Sequence, residues 1–139
     1  MPSDQGPRFM IISKKCPDVT SVDLEFWHAL DKLLLNSKLI IDRPKGRMHP
    51  RFKNLVYPVD YGYLEGTSSM DGGGIDVWKG TQIDEGIVGI LCIVDLMKRD
   101  SEIKVLVDCN ANETNLIHHF HNDSPHMKGI LIQRIRDSR

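Results

Sequence analysis

The sequence predicts an α+β domain built on a small closed β-barrel with flanking helices. Three observations carry that expectation. Short extended runs separated by turn residues fill the middle of the chain, a strong helical period precedes them, and a second helical stretch lies near the end. At 139 residues the chain has the length of one domain. Residues 1–139 are read as that domain, with 1–37 as an N-terminal extension containing one helix.

The elements follow in order. Arg8 to Ser13 (RFMIIS) reads as a short strand stopped by Pro17. Val22, Leu24, Phe26, Trp27, Leu30, Leu33 and Leu34 recur near a helical period, which predicts a helix over about 21–36. Thr20 or Ser21 is its expected cap, with Asp23 and Glu25 in the first turn. Its apolar stripe is wide enough to need covering by the domain or by a partner subunit. Lys38 to Asp42 reads as a strand, and residues 43–54 as a basic turn region. Tyr57 to Leu64 is extended, because Pro58 and Gly62 disfavour helix.

Three consecutive glycines, Gly72 to Gly74, mark a loop before a strand over Ile75 to Thr81. Gly86 to Leu96 is almost wholly apolar and β-branched, as a buried strand should be. Glu102 to Val107 alternates and pairs with it through Lys98-Arg99-Asp100. Asn112 to Asn122 forms the second helix, and about 129–135 the last strand.

Composition excludes several classes. Eighteen Lys+Arg against nineteen Asp+Glu give a net charge of −1. Bulk electrostatic holding of nucleic acid is excluded, and no nucleic-acid partner is expected. No run of apolar residues is long enough for a membrane helix, so no membrane partner is expected. The first seven residues lack an apolar segment and a cleavage pattern, and the expectation is a cytoplasmic protein without a signal peptide. Cys16, Cys92 and Cys109 are odd in number and without CxxC spacing, which argues for free thiols.

The candidate chemistry lies in carboxylates at strand ends and in loops: Asp42, Asp71, Asp76, Asp95 and Asp100. Gathered at one barrel mouth, they would supply the oxygen ligands that Mg²⁺ requires. Arg43, Lys45, Arg47, Arg51 and Lys53 fall within eleven residues. Guanidinium groups match phosphate with a planar fork of donors. Tyr57, Tyr61 and Tyr63 follow. His118, His119, His121 and His126 cluster near the second helix and are read as surface residues. No P-loop, GxSxG or GxGxxG pattern occurs.

Four blocks together resemble the soluble inorganic pyrophosphatases of the first family. They are Asp42-Arg-Pro-Lys-Gly46, Tyr57-Pro-Val-Asp-Tyr-Gly-Tyr63, Asp71-Gly-Gly-Gly-Ile-Asp-Val77, and Val88-Gly-Ile-Leu through Asp95 and Asp100. The resemblance spans roughly residues 38–108. It implies an OB-like barrel of about five strands and Mg²⁺-dependent hydrolysis of diphosphate, or of another small phosphoanhydride, by a homo-oligomer. By resemblance, Asp71, Asp76, Asp95 and Asp100 match metal ligands, and Asp42 stands at a position of the usual glutamate. Tyr61 matches a phosphate-contacting tyrosine. The expected catalytic residues are Asp71, Asp76 and Tyr61. Lys45, Arg47, Arg51, Tyr61 and Lys104 are expected to bind substrate.

The chain departs from that pattern in its glycine loop and in its last strand pair. Gly73 replaces the middle aspartate of Asp-Gly-Asp-Pro-x-Asp, and Gly74 replaces its proline. Glu102 stands where a phosphate-binding lysine is expected, with Lys104 two residues on and on the same strand face. A second reading follows: a catalytically weakened pyrophosphatase-like module that binds a phosphate-containing ligand.

Overall fold

A computed structural model describes residues 19–69 and 72–136 of the chain. Helix α1 (Val19–Leu35) precedes five strands, β1 (Lys38–Arg43), β2 (Asp60–Glu65), β3 (Ile75–Lys79), β4 (Ile87–Asp95) and β5 (Asp100–Val107). Helix α2 (Ala111–Phe120) and strand β6 (Met127–Gln133) complete it. Each element within this range stands within a few residues of its predicted span. The expected strand over Arg8 to Ser13 lies outside the described residues. Thr20 and Ser21 fall inside the first turn of α1, because the helix already begins at Val19.

The six strands form one sheet in the order β1-β2-β3-β5-β4-β6. All neighbours are antiparallel except β3 and β5. Among the described residues β1 and β6 are the two edges, so the sheet is open. The expected α+β class holds, and in place of the expected closed barrel of about five strands the described residues form an open sheet of six.

Side-chain alternation gives the sheet two covered faces. Along β3 and β5, Val77, Val105 and Val107 belong to one apolar cluster, and Trp78 and Leu106 to another. Successive strand residues point to opposite faces, so this sheet has a separate core on each side. In β4 the register slips between Ile87 and Gly89. That bulge lets Ile87 and Ile90, three residues apart, serve the same cluster.

One face is covered by α1, through Trp27, Leu30 and Leu34. Arg134 clamps the helix from below with a bidentate bond to Asp31, both contacts at 2.8 Å. Leu24, Phe26 and Leu33 stay more than a third exposed, so the domain covers only part of the predicted stripe. No helix of the described residues is long and apolar enough to cross a membrane.

The other face is covered by α2 and by the segment around Tyr57 and Val59. Asn110 and Glu113 cap α2 reciprocally, each side chain accepting from the other's backbone N–H. Glu113 also accepts from the Thr81 amide at 3.1–3.2 Å, tying the helix start to the loop after β3. His121 closes this core. It is 3% exposed, and its Nε2 accepts from the Trp78 indole at 3.0 Å. The expectation that the histidine cluster is surface holds for His118, His119 and His126 and is corrected for His121. The Trp78 indole needs a buried acceptor, and His121 is the side chain that supplies it.

Candidate active site

The second face also carries the polar chemistry. The pairings Tyr63 with Asp76 and Val77 with Val105 set β2, β3 and β5 side by side. Alternation then puts Tyr61, Asp76, Glu102 and Lys104 on the Trp78 and Leu106 face. They meet at one atom. The Lys104 Nζ lies 2.6 Å from the Tyr61 hydroxyl, 2.7 Å from Asp76 Oδ2 and 2.9 Å from Glu102 Oε2.

An ammonium has three protons to donate. Those three contacts account for all of them. The Lys104 side chain is only 7% exposed. A lone ammonium there would be strongly destabilised, and two carboxylates and a hydroxyl are what make it tolerable. Burial pulls the Lys104 pKa down, but Tyr61, Asp76 and Glu102 outweigh it and raise it, so the lysine stays charged. Burial raises the Tyr61 phenol against the opposing pull of Lys104, so the tyrosine stays neutral.

The expected carboxylates have different placements. Asp76 belongs to the lysine cluster. Asp95 is buried and works in the β4–β5 turn, its Oδ1 accepting from the amides of Met97 (3.0 Å) and Lys98 (3.1 Å). Asp100 is its direct cross-strand partner and lies 3.9 Å from Lys98 Nζ. Asp95 and Asp100 are therefore neighbours on the face that holds Asp76 and Glu102. Asp42 is exposed, at the irregularity where β1 pairing skips from Ile41 to Arg43. Asp71 lies outside the described residues. Among the described residues, no three His, Cys, Asp or Glu side chains form a group that could hold a metal ion.

The basic region folds against the rim of this face. Arg43 donates to the Tyr57 hydroxyl at 2.6 Å and lies beside Tyr61 across the β1–β2 ladder. Arg47 donates to the Asp42 backbone carbonyl at 2.7 Å. The Lys45 backbone amide donates to Asp60 Oδ1 at 2.8 Å. Lys45, Arg47 and Arg51 are all exposed. His49 organises the loop: its Nδ1 accepts from the amides of Arg51 and Phe52, and its ring stacks on Tyr57 at 5.9 Å. Burial, then Arg43 and Arg51, lower the His49 pKa, which keeps Nδ1 an acceptor.

Sequence reasoning singled out Arg43 and Tyr57 without assigning either to the site, and it missed His49. The tyrosine spacing was the available signal, because Tyr57 and Tyr61 pack ring to ring at 5.4 Å. The glycine loop has its own geometric reason. A Cβ at Gly74 would lie 2.6 Å from the Leu64 carbonyl oxygen, which excludes the proline expected there by resemblance. Cys109 is buried, and burial pushes its thiol up to about 12, so it is chemically inert.

An open sheet with both faces covered, and a lysine-centred polar cluster on one of them, defines an α+β protein. No family model and no curated protein matches the chain. Among solved structures it is similar to an inorganic pyrophosphatase from Coxiella burnetii, with a TM-score of 0.51 and 18% identity over 68% of this chain and 84% of that one. It is also similar to the enzyme from Helicobacter pylori, with a TM-score of 0.48, 15% identity, and coverage of 68% and 81%. A third is an inorganic pyrophosphatase from Neisseria gonorrhoeae, with a TM-score of 0.44, 17% identity, and coverage of 67% and 72%. The chain shares the fold of the inorganic pyrophosphatases.

Proposed function

We propose that this protein hydrolyses inorganic diphosphate, or a related small phosphoanhydride, to phosphate with the help of Mg²⁺. The observation that carries the reading is the meeting of Tyr61, Asp76, Glu102 and Lys104 at one atom, beside Asp95 and Asp100, on one face of a pyrophosphatase fold.

The donor chemistry fits the cation. Mg²⁺ keeps several waters and takes one or two carboxylates together with substrate phosphate oxygens. It therefore needs no cage of protein ligands. Asp95 and Asp100 oppose each other directly across the β4–β5 ladder, and like charges so placed favour a cation nearby. Asp95 and Asp100 are the described pair that would hold Mg²⁺, with Asp76, Asp71 and Asp42 completing the proposed set. When bound, the ion polarises phosphoryl oxygens and lowers the pKa of a coordinated water.

The chain's own groups do the rest. Lys104 fixes the Tyr61 hydroxyl and Asp76 in place, so both are held before substrate arrives. Tyr61 offers a neutral hydroxyl to a phosphate oxygen. Lys45, Arg47 and Arg51 supply exposed positive charge at the rim for the leaving phosphate. The domain is proposed to work in the cytoplasm as a homo-oligomer, with the exposed apolar residues of α1 available for its contacts.

Phosphate release from diphosphate, with and without Mg²⁺, tests the reading. Release that depends on Mg²⁺ and falls in Asp76→Asn supports it, and release no faster than the blank refutes it. The alternative is a pyrophosphatase-like module that binds a phosphate-containing ligand without turning it over. It is favoured by two observations: Lys104 has no donor to spare, and Gly73 replaces the middle carboxylate.

A further inference from the structure

We propose that Glu102 is a built-in competitor for the ligand's phosphate, an internal anion that sets how strongly this face binds phosphate. The inference rests on the reading of the face as a phosphate site, and it concerns affinity rather than turnover.

Three facts lead to it. First, the Lys104 ammonium is fully committed, to Tyr61, Asp76 and Glu102. A phosphate oxygen can gain a bond from it only by taking one partner's place. Second, the partners are not equivalent in charge. Asp76 alone neutralises the lysine, and the Tyr61 hydroxyl completes its hydrogen bonds to the sheet. Glu102 adds a second carboxylate, so Lys104 (+1), Asp76 (−1) and Glu102 (−1) sum to −1. That sum is the wrong sign for binding an anion. Third, Glu102 sits two residues along β5 from Lys104, between it and Asp100, on the same face. Its carboxylate therefore lies on the side from which a ligand held near Asp95 and Asp100 would reach the lysine.

A purely structural role would need less. A buried ammonium is stabilised by one carboxylate and one hydroxyl together with a third, neutral acceptor. The 11% exposure of the Glu102 side chain against 7% for Lys104 shows that both are withdrawn from water, so the attraction between them is only weakly screened. While Glu102 holds that position, the lysine is masked. A ligand phosphate must displace the carboxylate, and its affinity is reduced by what that displacement costs. Glu102 thus acts through Lys104, as a positioning and selectivity residue rather than as a catalytic one.

The test measures diphosphate binding by calorimetry without added metal, in the wild type, Glu102→Gln, Glu102→Ala and Glu102→Gln/Lys104→Gln. Thermal melts check that each variant folds. Removing one negative charge beside the ammonium is expected to tighten binding by on the order of tenfold. The gain should disappear in the double variant, which lacks the unmasked lysine. In hydrolysis, the single variants should lower KM more than they change kcat.

Equal affinity of the wild type and both folded single variants, including no binding by any of them, would overturn the proposal. So would a gain that survives loss of Lys104. Unfolding of both single variants would assign Glu102 to sheet stability and overturn it as well. The two readings separate cleanly. Wild-type hydrolysis without a binding gain in the variants removes only the role of Glu102. A binding gain without hydrolysis in any form removes only the diphosphatase.

Discussion

Replacing Lys104 by Met tests whether the polar cluster is held together by one charge. Methionine keeps much of the stem and its packing but removes all three donors. Two carboxylates then remain without their cation, Asp76 with a side chain 22% exposed and Glu102 with one 11% exposed. Breaking a buried ion pair by removing one partner costs about 3–5 kcal/mol. Asp76 retains some contact with water and either carboxylate can take up a proton, so the lower end applies, about 3 kcal/mol. For a domain of this size that lowers Tm by roughly 6–12 °C.

The pH dependence has a definite sign. Lys104 has a folded pKa above its ordinary value of about 10.4. Its contribution is therefore fully present below that ordinary value and is lost as pH rises through the folded one. The stability difference between wild type and Lys104→Met should stay level across neutral pH, narrow in strong alkali, and narrow also in acid, where the stranded carboxylates take up protons. Urea unfolding of the single variant, beside Lys104→Met/Asp76→Asn/Glu102→Gln, provides the assay. The triple variant should recover most of the loss, because no carboxylate is stranded. A single variant within about 1 kcal/mol of wild type, or a triple variant no more stable than the single, would refute the reasoning.

Asp95→Asn should keep the turn, since an amide oxygen still accepts from Met97 and Lys98, while Mg²⁺ affinity falls. Asp95→Ala should lose both, with about 1 kcal/mol of stability, and calorimetry with thermal melts separates the two. His121 is pushed down to about 3 by burial, and by Lys104 and His118, so it stays neutral while the unfolded chain's histidine protonates below about pH 6.5. Its share of stability is complete above that value and falls as pH drops toward the folded one, by up to about 1.4 kcal/mol per pH unit. His121→Gln keeps an acceptor for Trp78 and should flatten the acid limb of the stability profile, as urea midpoints between pH 7 and 4 would show. Gly73→Asp restores the carboxylate absent from the loop. Gly73 is exposed, and diphosphate hydrolysis should rise about tenfold, read as kcat beside a thermal melt that checks the loop.

The elements were legible because their patterns are local. Trp27, Leu30 and Leu34 recur at helical spacing, and Gly86 to Leu96 is too apolar and β-branched for a surface segment. Closure of the sheet was not legible. It depends on whether the two edge strands meet, and nothing in Lys38–Arg43 or Met127–Gln133 records what the other edge does. What β3 and β5 do record is cover on both faces, since Val77-Trp78 and Val105-Leu106-Val107 put bulky apolar residues on consecutive positions.

The same logic separates what the sequence could say of the site from what it could not. Lys104 and Glu102 share a strand face by their spacing alone, and that follows from the period of a strand. That Tyr61 and Asp76 reach the same ammonium depends on β3 lying parallel beside β5, a long-range pairing between residues 28 apart. Residue identity therefore announced the kinds of group present, while topology decided their partners. Asp95 shows the reverse case. Its type suits a metal ligand, yet it stands one residue before a tight turn, where an aspartate also accepts backbone amides. Its Oδ1 serves the turn and its charge faces Asp100, so holding the hairpin and attracting a cation are compatible duties for one side chain. A carboxylate that the fold already requires at that position would serve the proposed cation site without further cost to the sheet.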